Sequence, residues 1–303
     1  MISAATKGPL VGWLLTGSLF LALGGSAVGV LLEIERQRPA SARAAELSYL
    51  PKGDYLKVAV LGYRQMAADL IWLGTVQHFG ERYQTEEGYL WAYHAVDVVT
   101  DLDPKFAFAY QAAGVVLSIW AELPYKSVAI LAKGMRHNPE VWQLPFYLGY
   151  DYFYELHDTA RAAKYFRIAS ELPGAPAYLP KLAARMTVEA GDPEAALEFL
   201  ERMYQRIQDE RLREGLEKRM KEVVAERDIR FLEEGVRRYK ARYGEPPAEL
   251  EDLVSGEIIL EIPPEPFGGK YTLNASDGSV MSSGLRERLL VHRKYMGKGP
   301  RKK

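Results

Sequence analysis

Apolar residues recur along this chain in three distinct patterns, and each predicts a different element. From Gly8 to Leu32 no charged residue interrupts a run of mostly Leu, Val, Ala, Gly and Phe. From about residue 57 to 206, apolar positions return at three- and four-residue steps, the stripe of amphipathic helices. From Glu201 to Arg242 the same steps persist inside a sequence rich in Arg, Lys and Glu. Beyond Gly244-Glu245-Pro246-Pro247 the helical period gives way to short alternating stretches around glycines and prolines.

As a helix, the first run would extend roughly 38 Å, enough to cross a hydrocarbon core of about 30 Å with some tilt. Pro9 stands at its start, where a missing amide matters little, and Trp13 at interface depth. Ala40-Ser41-Ala42 lies well past the apolar run, so a retained anchor is expected in place of a cleaved signal peptide. A count of Lys7 against Arg36, Arg38, Arg43 and Lys52 favours a cytoplasmic domain. The very short N-terminal tail before a single span and the acidic Glu33 and Glu35 favour the opposite side, which is the orientation adopted here. The spacings Gly8/Gly12 and Gly25/Gly29 would permit self-association through the span, although glycine is common in spans without it.

The middle region repeats. Gly80, Gly114 and Gly149 stand 34 to 35 residues apart; so do Ala92, Ser127, Ala162 and Ala196, and so do Pro104, Pro139 and Gly174. That is the period of a two-helix unit. Small residues recur where two antiparallel helices cross, because a large side chain there would push the backbones apart. The prolines and Gly174 fall after second helices, where they end them.

These residues resemble the tetratricopeptide repeat. Leu148-Gly149 with Tyr152, then Ala162, Phe166 and Ala169, match its helix-packing positions in order. Asp101-Leu102-Asp103-Pro104 resembles its terminator, and Gly191-Asp192-Pro193-Glu194-Ala195-Ala196-Leu197 its turn into a second helix. The second and third units depart from it by one extra turn residue each, and Ala184 replaces the fourth glycine. The resemblance implies a mainly α fold: an α-solenoid of helix pairs, with the N-terminal transmembrane helix before it and a small C-terminal α+β-hairpin module after it. It also implies a concave groove formed by the first helix of each pair, binding an extended peptide or helix of a protein partner whose identity the chain does not reveal. By register the groove would be lined by Gln77, Gln111, Gln143, Tyr150, Tyr154, Tyr178, Lys181 and Arg185, while Phe146, Phe153 and Tyr165 belong to the core. Tyrosines supply broad contact area at small entropic cost, and glutamines pair with a partner's backbone.

The expected organisation is a transmembrane anchor over residues 1–33 that meets lipid through 8–32. A linker follows (34–56), then repeats (57–206), charged helices closing the solenoid as a hairpin (207–243), a helix plus β-hairpin module (244–284) and a solvated basic tail (285–303). Residues 239–282 resemble, more distantly, the end of type II secretion pseudopilins, with Pro266-Phe267-Gly268-Gly269 before a hairpin of Tyr271–Leu273 and Ser279–Met281.

Composition adds mainly exclusions. A formal net charge of -1 gives no global pull toward nucleic acid, so no nucleic-acid partner is expected. The absence of cysteine removes disulfides, thiolate metal sites and a thiol nucleophile. No phosphate-binding glycine loop is present, and His78, His94, His137, His157 and His292 lack metal-ligand spacing. Asp97, Asp101 and Asp103 read as an exposed turn more readily than as a cation site. No catalytic residue, cofactor or metal is therefore expected. The chain reads as a membrane-anchored protein-protein interaction scaffold or assembly factor of a bacterial envelope complex (secretion, pilus or cytochrome system, by analogy). It would be a single-pass inner-membrane protein with a periplasmic soluble part. The alternatives are an enzyme, or enzyme subunit, with a site the sequence does not display, and a structural component that self-assembles.

Overall fold

The apolar stripes of the repeat region become helices that pack in order of sequence. The computed structural model describes residues 50–79 and 85–289, together with Ser18, Ala22, Leu23, Gly25, Ser26, Val28, Gly29, Val30 and Glu33. A short α1 (Gly53–Ala59) precedes α2 (Arg64–Phe79) and α3 (Glu86–Leu102). Next come α4 (Ala107–Val115) and α5 (Pro124–His137), α6 (Gln143–Tyr150) and α7 (Thr159–Glu171), then α8 (Leu179–Glu189) and α9 (Pro193–Arg206). The chain is mainly helical. The main contacts run α2 to α3, α3 to α4 and onward to α8 with α9, with second-neighbour contacts such as α4 to α6. Short turns between packed neighbours make successive helices antiparallel.

One turn geometry recurs. Between the first and second helices of the last three pairs stand Glu122 (φ 55), His157 (φ 54) and Gly191 (φ 98), all left-handed and spaced 35 and 34 residues apart. Each follows a backbone bond reaching back five residues or is followed by one: Ala121 N–H to Val116 O at 3.0 Å, Leu156 N–H to Asp151 O at 2.9 Å, Asp192 N–H to Thr187 O at 3.1 Å. Asp158 and Asp192 then cap α7 and α9 by accepting from the N–H of Arg161 and Ala195. The extra residue of the second and third units is not in the turn, as the sequence suggested. It is absorbed by π-helical turns at Val116–Trp120 and Asp151–Glu155, which continue α4 and α6. A single inserted residue widens one helical turn at the cost of one weakened hydrogen-bond step; the fourth pair, without the insertion, has an unbroken α8.

The small-residue ladders mark close approach. Ala92, Ser127, Ala162 and Ala196 are buried. A Cβ on Gly114 would stand 2.8 Å from Leu131 Cδ2, and one on Gly149 2.9 Å from Phe166 Cδ1. Gly80 lies outside the described residues. Gly149→Ala is therefore expected to lower stability by about 1–3 kcal/mol through overpacking, read as a lower thermal midpoint. An unchanged midpoint would show that Phe166 has room to retreat.

The charged stretch expected as a hairpin of its own is one continuous 34-residue helix, α10 (Glu210–Tyr243), whose antiparallel companion is α9. Nothing inside it breaks the helix: Gly215 and Gly235 sit where Lys181 and Leu253 press close. It ends at Gly244 (φ 88), a left-handed cap that only glycine adopts without strain. Then α11 (Glu251–Ser255) and a hairpin, β1 (Tyr271–Asn274) with β2 (Ser279–Ser282), pair Tyr271 with Ser282 and Asn274 with Ser279. Tyr271 and Val280 bury against Ile229, Leu232 and Val236 of α10. A two-stranded hairpin has too little core alone and borrows one from the helix.

The boundary expected at residue 285 is corrected. Leu289 is buried in the main core, and Arg288 donates to Glu226 (2.8 and 2.9 Å) and Glu233 (2.7 Å) of α10. The segment through 289 is part of the fold because its guanidinium neutralises two acids on one face of α10; residues 290–303 of the basic tail lie outside the described residues. Most of the expected span at 8–32 lies outside them too. Its described positions are helical and exposed, and among the described residues no helix is long and apolar enough to cross a membrane.

Candidate functional site

The residues expected to line a groove fall into rows when shifted by the repeat. A step of 35 carries Gln143 onto Tyr178. The same step carries Gln111 onto Phe146 and Lys181, Tyr150 onto Arg185, and Ile119 onto Tyr154. Tyr154 and Tyr178 are exposed, Gln77 is exposed on α2, and Gln111, Gln143 and Tyr150 are half-buried. Of these, the structure brings Tyr150 and Tyr154 together, with ring centroids 4.6 Å apart and planes tilted by 37°. Tyr150 immediately precedes the π-helical turn that continues α6 and Tyr154 lies within it, with the buried Phe153 packed edge-on against Tyr154. Phe153 is buried as expected; Phe146 and Tyr165 pack at its margin.

Lys181 and Arg185 behave differently. Gly215 of α10 lies so close to Lys181 that a Cβ there would meet its ammonium. Arg185 donates from Nε to the carbonyl of Leu289 at 3.1 Å. The last helix pair thus meets α10 and the C-terminal segment in the row where the third pair carries Tyr150 and the exposed Tyr154.

Two exposed apolar side chains join the tyrosines in these rows: Ile119 and, beside it, Trp120, both half exposed on the π-helical turn of α4. The sequence carried the signal, because Ile119 stands one repeat before Tyr154. It was obscured because an isolated apolar residue in a repeat helix ordinarily reads as core.

Beneath this surface lies a buried carboxyl that composition could not disclose. Asp151 opens the second π-helical turn and is 1% exposed. Its Oδ2 lies 2.5 Å from Ser127 Oγ, which is 3.0 Å from the carbonyl of Gly114. A hydroxyl has one proton, so Ser127 satisfies Gly114 fully only when Asp151 is itself protonated and donates to the serine. Burial pushes the Asp151 carboxyl up to about 6, against the opposing pull of the Ser118 and Ser127 hydroxyls. Glu155, nearby, is also raised, by burial first and by Glu122 among its neighbours, with His157 acting against it. Burial, then Glu155, raises the Tyr150 phenol. This end of the second and third pairs therefore combines aromatic rings with carboxyls held toward their neutral form.

The remaining chemistry is structural. Lys133 Nζ sits between Asp97 Oδ1 and Asp101 Oδ1, 2.7 Å from each, so the acids considered as a cation site already face an ammonium from α5. Gly53 allows α1 to approach Asp101, where a Cβ would collide. His94 packs instead of ligating: its Nε2 lies 2.8 Å from the carbonyl of Leu50. Among the described residues no group of three or more His, Asp or Glu is placed to hold a metal ion. No protein-family model matches this chain, and no curated protein matches it in sequence.

Proposed function

We propose that this protein is a membrane-anchored scaffold or assembly factor. In this reading, tetratricopeptide-like pairs stack as an α-solenoid and bind a segment of a protein partner along the groove of their first helices. The observation that carries the reading is the recurrence of one helix-pair geometry. Left-handed turns at Glu122, His157 and Gly191 share the period of the buried small residues, and each pair packs mainly on its neighbours in sequence. Stacking of that kind creates an extended face in place of a closed pocket. Tyr150, Tyr154, Ile119 and Trp120 offer that face the apolar and aromatic area that dominates recognition of protein segments.

The anchor is residues 8–32, in a bacterial inner membrane with the soluble part on the periplasmic side. It is supported by the uncharged run and by described positions such as Leu23, Val28 and Val30, which are helical and more than half exposed. The partner class is a peptide or helix, and the process is assembly of an envelope complex, by analogy with anchored repeat proteins.

Photo-crosslinking in cells tests the groove. A photoreactive side chain at Ile119 or Tyr154 is expected to trap a discrete partner, and one at Glu201 on α9 to trap none. Tyr150→Ala with Tyr154→Ala should weaken trapping from Ile119 by about tenfold, the scale of losing an aromatic anchor, at unchanged helical circular dichroism. Equal trapping from Glu201, or none from the groove, would sink the proposal.

A further inference from the structure

The first two helices carry an apolar face that the described fold leaves uncovered. On α2, Ala68, Trp72, Thr75 and His78 are buried, and the side facing away from them presents Met66, Leu70 and Leu73. These stand at helical steps of four and three and form one stripe; Leu70 is 62% exposed. Just before it, Tyr55 and Val58 of α1 and Leu61 of the connecting loop are more exposed still. So many large apolar side chains over so short a segment are unusual for a surface that meets only water. Asp69 and Gln77 on the same helix keep the face from being wholly apolar.

Where the chain enters the domain selects among occupants. Leu50 is tied by its carbonyl to His94 of α3, and α1 begins three residues later. The uncharged run ends at Leu32, so 17 residues separate it from Leu50. Such a tether spans at most roughly 60 Å when fully drawn out, and much less when relaxed. The exposed cations Lys52 and Arg64 bracket α1 beside the exposed Tyr55 and Tyr63. Apolar side chains with tyrosines and a basic fringe are the composition of a surface resting in the headgroup region.

We infer that α1 and α2 dock on the bilayer, with Leu61, Met66, Leu70 and Leu73 entering the headgroup–acyl boundary and Lys52 and Arg64 meeting anionic lipid. This inference rests on the anchored reading above and deepens it: the helix pairs are then held in a set orientation to the membrane.

Depth-sensitive spin labelling separates the two ideas. The chain has no cysteine, so Leu70→Cys, Leu73→Cys and Glu194→Cys each carry a single nitroxide in the full-length protein. The protein is reconstituted into vesicles of phosphatidylcholine and phosphatidylglycerol. At Leu70 and Leu73 the ratio of oxygen to nickel-chelate collisions is expected to exceed that at Glu194 severalfold, and removing phosphatidylglycerol should lower it. If the protein floats with the vesicles but all three labels collide with the chelate alike, the docking inference fails and the anchor stands. If labels at Leu70 and Leu73 are shielded from both reagents, protein covers the stripe and the inference also fails. If the protein does not float at all, the anchor and the docked face fall together.

Discussion

Arg288→Ala is expected to destabilise the protein by about 2–4 kcal/mol, because it strands Glu226 and Glu233 without their main counter-charge. Glu226 is fully buried and binds both Nε and Nη2 of Arg288, with Arg230 Nε 3.1 Å away as its other partner. Glu233, which also accepts the backbone N–H of Val280, binds Nη1. Burial opposes the charge on Arg288, yet the two carboxylates outweigh it and hold the guanidinium above its ordinary range. Losing one partner of such a network leaves the others charged and desolvated, a larger penalty than the network's own net contribution. Lysine should rescue little, since a point charge cannot span Glu226 and Glu233 as a planar fork does. The effect is read as a lower urea midpoint, with faster amide exchange at Val280 and along residues 285–289. Arg286→Ala, exposed in the same segment, should leave the midpoint unchanged. If both alanines behave alike, the segment is an appendage and the assignment of 285–289 to the fold is wrong.

Asp151→Asn is expected to stabilise the protein at pH 8 by up to about 3 kcal/mol while changing little at pH 4, at 1.36 kcal/mol per pK unit. The folded carboxyl titrates near 6, well above the value of 3.8 for an unhindered aspartate. Between these values the folded state holds the proton more tightly than the unfolded state, so wild-type stability falls as pH rises through that window. By pH 8 the native protein carries the unfavourable buried charge almost in full. Asparagine removes it and can still donate from its amide to Ser127 Oγ, leaving the serine proton for the carbonyl of Gly114. Thermal midpoints of both proteins between pH 4 and 8 decide the matter. Curves that stay parallel would show that Asp151 does not titrate in this window. Tyr154 lies on the same turn and Tyr150 directly before it, so the asparagine variant also probes whether this buried carboxyl tunes the proposed partner capture.

Several elements were legible from local pattern because local rules govern them. The period of 34 to 35 residues located the helix pairs, since a crossing of two backbones demands a small side chain wherever it occurs. Asp192 stood in a stretch that resembled a turn into a second helix and does cap α9, and Tyr271–Leu273 with Ser279–Met281 read as a hairpin that the strands bear out. The proposed face was legible only in part: Tyr154 was among the residues expected to be exposed, and its counterpart Ile119 was not, because exposure is a property of neighbours and not of residue type.

Burial, pairing and occupancy belonged to the tertiary structure. Asp151 looked like any helix aspartate until Ser127, 24 residues earlier, and Gly114 closed around it. Arg288 looked like one more cation in a basic tail until Glu226 and Glu233, separated from it by more than 50 residues, selected it. The sequence by itself determined that helix pairs recur and where their contacts must be small, because steric exclusion acts between residues of known spacing. Only the folded chain decided which charges are desolvated and which apolar faces stay open, because electrostatics and exposure depend on what distant segments bring alongside.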